Sequence, residues 1–501
     1  MHLAHDLNLA IGIGGGGFAL IRDENAEHTF VDFRETAPGA ASEDMFVNSQ
    51  HNSTIGGLAV GVPATLRGFE HLHQKYGRLP WSKLFEDAAS VANGFVIEQD
   101  LADKIASSDS SYGYLREDPL WSSIYSPNGT VVGLGDTLSS PLLAETYKKI
   151  AESGADVFYN GDMAQNIVDA VSANGGIITL DDLASYKIEE RPVLSIDFDE
   201  YKVYATSAPS SGAVLLNTLN TLQHFDENLW SNDNYTAQAL TESLKFAYAV
   251  RDNLADPAFV SNVTDIQDQS VEQDTGVENY NKISLNQTHP VDYYSISPGE
   301  AKDHGTSHIN AVDGTGLAIS ITNTINTYFG SHVMTSDSII LNNEMDDFSI
   351  PGESNSFNLK PSTVNFPQPG KRPQSSISPA IVENKDGRLV LLIGSAGGSQ
   401  IPSAVSQLAL NYLKRKQSAQ SAVSAPRLHN QLVPAKTTLE YEGEFTSGFS
   451  NLTAAYLSEV GQNVTFASPG SSTANAIGVL EDKTFDIGRE VRQANSGGKY
   501  V

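Results

Sequence analysis

Apolar and polar residues recur with two periods along this chain, and the dominant period changes by region. Near the start, Phe18-Ala19-Leu20-Ile21 reads as a strand, and so does the stretch from Phe30 to Phe33. Between about residues 58 and 260 the patterning is mostly helical, with polar connections. The clearest amphipathic segments there are Pro80 to Asn93 and Leu240 to Leu254, the second with apolar residues at 240, 244, 247, 250 and 254. From 257 to 299 Asp, Gln, Asn and Ser dominate, which predicts a long solvated excursion. Residues 307 to 312 and 317 to 322 then alternate in strand fashion around Asp313-Gly314-Thr315-Gly316, a hairpin signal. A second strand pair is expected at Ser338 to Leu341 and Arg388 to Ile393. Between those strands, residues 350 to 374 are rich in Pro, Asn, Ser and Gly and read as a loop long enough to cover a site.

Composition narrows the function classes. The 60 acidic against 31 basic residues give a formal charge of −29, which repels nucleic acid and anionic membrane surfaces. No nucleic-acid partner is therefore expected. No window approaches the roughly 20 consecutive apolar residues of a membrane span. Cysteine is absent, which excludes disulfides, zinc-thiolate sites and a cysteine nucleophile. Asn-x-Ser/Thr sequons at Asn52, Asn128, Asn234, Asn262, Asn286, Asn451 and Asn463 point to the secretory pathway. The start at Met1-His2-Leu3-Ala4-His5-Asp6 lacks the basic start and apolar run of a signal peptide, so an export signal or anchor is expected outside this chain.

Candidate chemistry gathers around the predicted hairpin. Gly12, Gly14 and Gly17 formally satisfy a dinucleotide-binding spacing, but that site needs a helix next and a strand follows. The glycine run reads instead as a close approach of backbones under a pocket. Arg34, at a strand end, carries a fork suited to a surface salt bridge or to a carboxylate. His71 and His73, two apart on a probable helix, diverge and make a poor metal pair. Ser207 to Gly212 reads as a rigid turn before a helix starting near Ala213. If residue 312 pairs with 317, Thr306 lies opposite residue 323 and beside Thr324, with Asn326 one period further on the same face. A threonine hydroxyl needs a base, and its own α-amine serves if the chain is cut before it; Gly305 makes that cut sterically plausible. The small-residue turn Gly394 to Ser399 offers successive amides at Gly397 and Gly398, and one such donor to an oxyanion is worth roughly 3 kcal/mol.

These motifs, in this order, resemble the γ-glutamyltranspeptidases, which are N-terminal-nucleophile hydrolases. The match is carried by Gly12 to Phe18, Arg34-Glu35-Thr36-Ala37-Pro38, Phe158-Tyr159-Asn160-Gly161, Pro209-Ser210-Ser211-Gly212 and Asp303-His304-Gly305-Thr306-Ser307-His308. It continues through Asn323 to Asn326, Asn342 to Phe348, Arg372-Pro373-Gln374-Ser375-Ser376 and Gly394 to Ser399. The resemblance implies an α+β, four-layer αββα sandwich and autocatalytic cleavage between Gly305 and Thr306. The products would be a large chain, 1–305, and a small chain, 306–501, held as a heterodimer. It further implies Thr306 as nucleophile with its freed amine as base, Thr324 as its hydrogen-bond partner, and Gly397 and Gly398 as the oxyanion hole. Arg34, Ser375 and Ser376 would hold the α-carboxylate of a γ-glutamyl group, and Asn326, Glu344 and Asp347 its α-ammonium. Glutathione is the implied donor, amino acids and dipeptides the acceptors, and no cofactor or metal is implied. The alternatives are a cephalosporin-type acylase of the same superfamily and an uncleaved, inactive secreted glycoprotein.

Overall fold

The computed structural model describes residues 12–49, 51–294, 305–352, 361–444, 446–493 and 496–500. The chain start through Ile11, Asp303 and His304, residues 295–299 of the polar segment and 353–360 of the long loop lie outside the described residues.

Two sheets carry the architecture. In chain order their strands are β1 (Gly16–Arg22), β2 (His28–Phe33), β3 (Glu189–Arg191), β4 (Val193–Phe198), β5 (Tyr201–Thr206), β6 (Ser307–Val312), β7 (Ala318–Thr324), β8 (Ala380–Asn384), β9 (Leu389–Ala396), β10 (Thr473–Val479) and β11 (Phe485–Gly488). The five-stranded sheet runs β3-β2-β1-β7-β6, and the six-stranded sheet β11-β10-β9-β8-β5-β4. Strand β1 is buried at every position because both faces of its sheet are covered, which is why it reads as an unbroken apolar run. On the outer face Ala19, Ile21, Val31 and Phe33 pack against helices α1 (Thr65–Tyr76), α2 (Lys83–Ala92), α3 (Pro141–Ser153) and α4 (Asp162–Ala173). On the inner face Phe18, Leu20 and Phe30 join one core with both faces of the second sheet. That core continues into α5 (Gly212–Leu222), α6 (Asp233–Arg251), α7 (Val263–Val271) and α9 (Ile401–Leu413), and the intervening helix α8 spans Gln273–Lys282. The stack is helices, sheet, sheet, helices, as expected. Each sheet takes strands from both sides of residue 305, so the two implied chains are interleaved rather than separate domains.

Five expectations change. The polar stretch after 257 is not an open excursion but forms α7 and α8, which pack through polar atoms: Asn217 Nδ2 donates to Ser270 O at 2.6 Å, and Asn220 Nδ2 to Glu272 O at 2.7 Å. Strands β3 to β5 interrupt the region read as helical; Leu194, Ile196 and Phe198 are buried at alternate positions, a period of two. The hairpin register is shifted by one, Val312 facing Ala318 and Ser307 facing Asn323, because the turn spans Asp313 to Leu317. Asp313 Oδ1 takes up that extra residue by accepting from the amides of Thr315 (2.8 Å) and Leu317 (3.1 Å). Residues 338–341 do not form the second strand pair; Ile340 and Leu341 make isolated bridges, and the partners of β9 are β8 and β10. Gly394, Ser395 and Ala396 belong to β9, so the turn begins only at Gly397.

Candidate active site

The site is one row across the inner face of the five-stranded sheet. Gly17 pairs with Phe33, Gly16 with Thr324, and Ser307 with Asn323. Continuing each ladder by one step sets Arg34, Gly16, Thr324 and Thr306 side by side. Three inter-strand spacings, about 14 Å, separate the ends of that row. Gly16 keeps its middle clear: a Cβ there would stand 2.5 Å from both Phe33 O and Glu35 Oε2. The rest of the glycine run approaches backbone as expected, Gly14 against Ile340, Gly15 against Thr324 and Gly17 against Thr322.

At the Thr306 end, every key atom is held by the uncleaved chain. Thr306 Oγ1 accepts from the Gly397 amide at 3.0 Å. Thr324 Oγ1 donates to the Gly305 carbonyl at 2.7 Å, rather than to Thr306, and accepts from the Asn326 amide at 2.7 Å. The carbonyl that precedes Thr306 is thus already polarised by a buried hydroxyl. Gly397 holds φ at +124°, and a Cβ there would meet Ser471 O at 2.5 Å, so both conformation and space demand glycine. Gly398 follows, buried, at the start of a short 3-10 turn that leads into α9.

Behind this turn, Ser399 Oγ donates to Gln431 Oε1 at 2.5 Å, and Gln431 Oε1 also meets His429 Nε2 at 2.8 Å. Tyr248 donates its hydroxyl to Ser399 O.

At the Arg34 end the charges lie together rather than apart. The guanidinium contacts Glu344 through Nη1 and Asp347 through Nη2, and donates to Gln374 O at 2.9 Å and Pro373 O at 3.4 Å. Glu35 Oε2 lies 4.0 Å from Nη1. Arg34 is 1% exposed. Burial alone would lower its proton affinity, but Glu344, Asp347 and Glu35 outweigh it and hold the cation above its ordinary range. Glu35 is pushed up to about 8 by burial, against the pull of Arg34. Burial also raises Glu344, helped by Glu35 and Asp347. One guanidinium therefore faces three carboxyls. Both oxygens of Glu35, Oε2 of Glu344 and Oδ1 of Asn326 have no hydrogen-bond partner among the described residues. The corner thus offers unpartnered acceptors to an entering hydrogen-bond donor.

Asn326, with φ at +74°, is fixed by its Nδ2 on Asn343 O at 3.0 Å. Ser375 Oγ accepts from the Ile377 amide at 3.2 Å, and Ser376 Oγ from Arg251 Nη2 at 3.0 Å. Glu35 and Arg251 also stand at this site, although no sequence pattern marks either of them for a role. Glu35 was visible only as a neighbour of Arg34, and Arg251 as the end of an amphipathic helix.

The remaining candidates fall elsewhere. His71 contacts Glu190 at 2.8 Å and His73 the Leu79 carbonyl at 2.7 Å, so the pair diverges as expected. Among the described residues no cluster of three His, Cys, Asp or Glu side chains is arranged to hold a metal. No helix among them is long and apolar enough to cross a membrane. Six sequon asparagines, Asn52, Asn128, Asn262, Asn286, Asn451 and Asn463, are exposed. Asn234 is half-buried on the first turn of α6 and accepts from Thr453 Oγ1 at 2.9 Å. A cavity of about 480 Å³ lies beneath Phe69, Trp81, Ile309, Ile319 and Ile321, on the outer face of the sheet. Its walls are almost wholly apolar, so it does not suit a zwitterion, and the site is on the other face.

The family model described as Gamma-glutamyltranspeptidase matches residues 7–500. A glutathione hydrolase proenzyme of Arthroderma benhamiae is 43% identical over 495 residues, 98% of this chain and 83% of that protein. A glutathione hydrolase of Aspergillus flavus is 38% identical over 496 residues, 97% of this chain and 82% of that protein. The crystal structure of a cephalosporin acylase from Bacillus halodurans superposes with a TM-score of 0.83 at 22% identity, covering 98% of this chain and 88% of that one. At that identity the last likeness concerns the fold alone.

Proposed function

The chain belongs to the gamma-glutamyltranspeptidase family, and on that premise we propose the chemistry that its residues perform. It is a glutathione hydrolase and γ-glutamyltransferase. The observation that carries the residue roles is the pairing at one end of the row: the Gly305 carbonyl held by Thr324 and the Thr306 hydroxyl held by Gly397.

Maturation comes first. Thr306 Oγ attacks the Gly305 carbonyl carbon, the C–N bond breaks as the nitrogen takes a proton, and water hydrolyses the resulting ester. The products are a Gly305 carboxylate and a free Thr306 α-amine. In the mature enzyme that amine removes the Oγ proton as Oγ attacks the γ-carbonyl of the substrate. The Gly397 and Gly398 amides stabilise the tetrahedral oxyanion. The leaving amine, cysteinylglycine when glutathione is the donor, departs with the proton. The γ-glutamyl ester on Thr306 then passes to water or to the amine of an amino acid or dipeptide.

The other end of the row supplies specificity. Arg34, with Ser375 and Ser376, receives the α-carboxylate, and Asn326, Glu344 and Asp347 receive the α-ammonium. The unpartnered acceptors on Glu35, Glu344 and Asn326 support the ammonium assignment. The likeness to a cephalosporin acylase rests on fold alone. The exposed sequons support passage through the secretory pathway, where the interleaved chains remain a heterodimer. Thr306→Ala tests the assignment: the protein should stay a single chain and release no product from a γ-glutamyl anilide. Wild-type rates in that variant would refute it.

A further inference from the structure

Arg34 is already engaged. Its three nitrogens are taken by Pro373 O, Glu344, Asp347 and Gln374 O, so its charge is largely neutralised before any substrate arrives. A carboxylate entering here meets two carboxylates on the same guanidinium.

A second cation lies close by and is differently placed. Arg251 ends α6, is 8% exposed, and makes no ion pair among the described residues. Its Nε has no hydrogen-bond partner among them. Burial pulls its proton affinity below the ordinary range, opposite to Arg34, as for a cation short of an anion. Among the described residues its side chain is held by one hydrogen bond, Nη2 donating to Ser376 Oγ at 3.0 Å. Its carbonyl accepts from Gln374 Nε2 at 2.6 Å, which fixes the same segment a second time.

The hydroxyl chemistry follows. A serine oxygen that accepts from a guanidinium must direct its own single O–H elsewhere. A cationic donor on that oxygen also polarises the O–H and strengthens it as a donor. We propose that Arg251 is a positioning residue: it acts through Ser376, turning that hydroxyl outward as a strengthened donor to the substrate's α-carboxylate. This rests on the γ-glutamyl reading above.

The test compares a γ-glutamyl anilide with its neutral α-carboxamide analogue on the processed enzyme. Wild type, Arg251→Gln, Arg251→Lys, Ser376→Ala and the Arg251→Gln/Ser376→Ala double variant are measured. Arg251→Gln should raise KM for the carboxylate substrate roughly tenfold or more, with kcat little changed and the carboxamide analogue barely affected. The double variant should be no worse than Ser376→Ala. Arg251→Lys, which keeps the charge, should recover part of the loss, and it supplies the comparison if the glutamine variant does not fold. Equal losses on both substrates, or multiplied losses in the double variant, would overturn the proposal by showing a tie that only fastens α6. Failure of the wild type to turn over the anilide would instead strike the γ-glutamyl reading itself.

Discussion

Replacing Thr324 by valine should slow maturation far more than it weakens the fold. The change is nearly isosteric but removes a hydroxyl with two partners, the Gly305 carbonyl and the Asn326 amide, each at 2.7 Å. In the ground state the main cost is the orphaned, buried Asn326 N–H, about 1–3 kcal/mol. Against a typical total of 5–15 kcal/mol, the protein stays folded. In the transition state for cleavage, the Gly305 oxygen becomes an oxyanion and the lost donor is worth more, about 10²- to 10³-fold in rate. Precursor made in a pulse would be followed by gel and intact mass as one chain becomes two. Thr324→Ser, which keeps the hydroxyl, should mature within a few-fold of wild type. If the valine variant matures at the wild-type rate, the Thr324–Gly305 bond has no role in cleavage and the argument from geometry fails.

Three further outcomes are expected. Gly397→Ala must place a side chain at φ +124° beside Ser471 O, so kcat with a γ-glutamyl anilide should fall at least a hundredfold while circular dichroism stays native. An ammonium bound beside Glu35, held up to about 8, favours its ionised form; glutamate binding at pH 7 should release protons, seen by calorimetry in buffers of different ionisation enthalpy and reduced in Glu35→Gln. His308 is held down to about 4 from 6.5 by burial, so the unfolded chain binds the proton more readily and stability falls as pH drops through that window. Its share is about 3 kcal/mol, and the difference between wild type and His308→Asn in urea unfolding at pH 7 and pH 4 should report it.

What was legible in the chain was whatever rests on local pattern. The glycine run, the strands it enters and the hairpin all announce themselves through period and turn residues. Helices α7 and α8 did not, because their buried faces are built from Gln267, Ser270 and Asn279 as much as from apolar residues. Gln267, for example, accepts from the Ala208 amide at 2.9 Å, a burial that hydropathy cannot register. The one-residue register error arose because Asp313 lengthened the turn; since Thr306 and Thr324 sit at adjacent positions in either register, the neighbourhood survived while the pairing changed. The family resemblance assigned Arg34 to the α-carboxylate of a substrate and Glu344 and Asp347 to its α-ammonium, two groups borne by one carbon. Only the tertiary structure reveals that they meet one another when no substrate separates them.

A cut at the proposed position, before Thr306, would explain why the single chain displays a nearly finished site. The paired ladder of β6 begins at Ser307, facing Asn323, so breaking the bond before Thr306 removes none of its rungs. Both sheets draw strands from either side of residue 305, and the core that joins Phe18 and Leu20 to Ile381 and Leu392 crosses the same boundary. Separating the chains would expose that core, whereas cutting the peptide bond exposes almost nothing. Cleavage there would change the chemistry only at the cut: the Thr306 nitrogen would turn from an amide into a basic amine, and the Gly305 carbonyl into a carboxylate. On the proposed mechanism, the amide at Gly397 and the hydroxyl at Thr324 that would position the first reaction are already in place for those that follow.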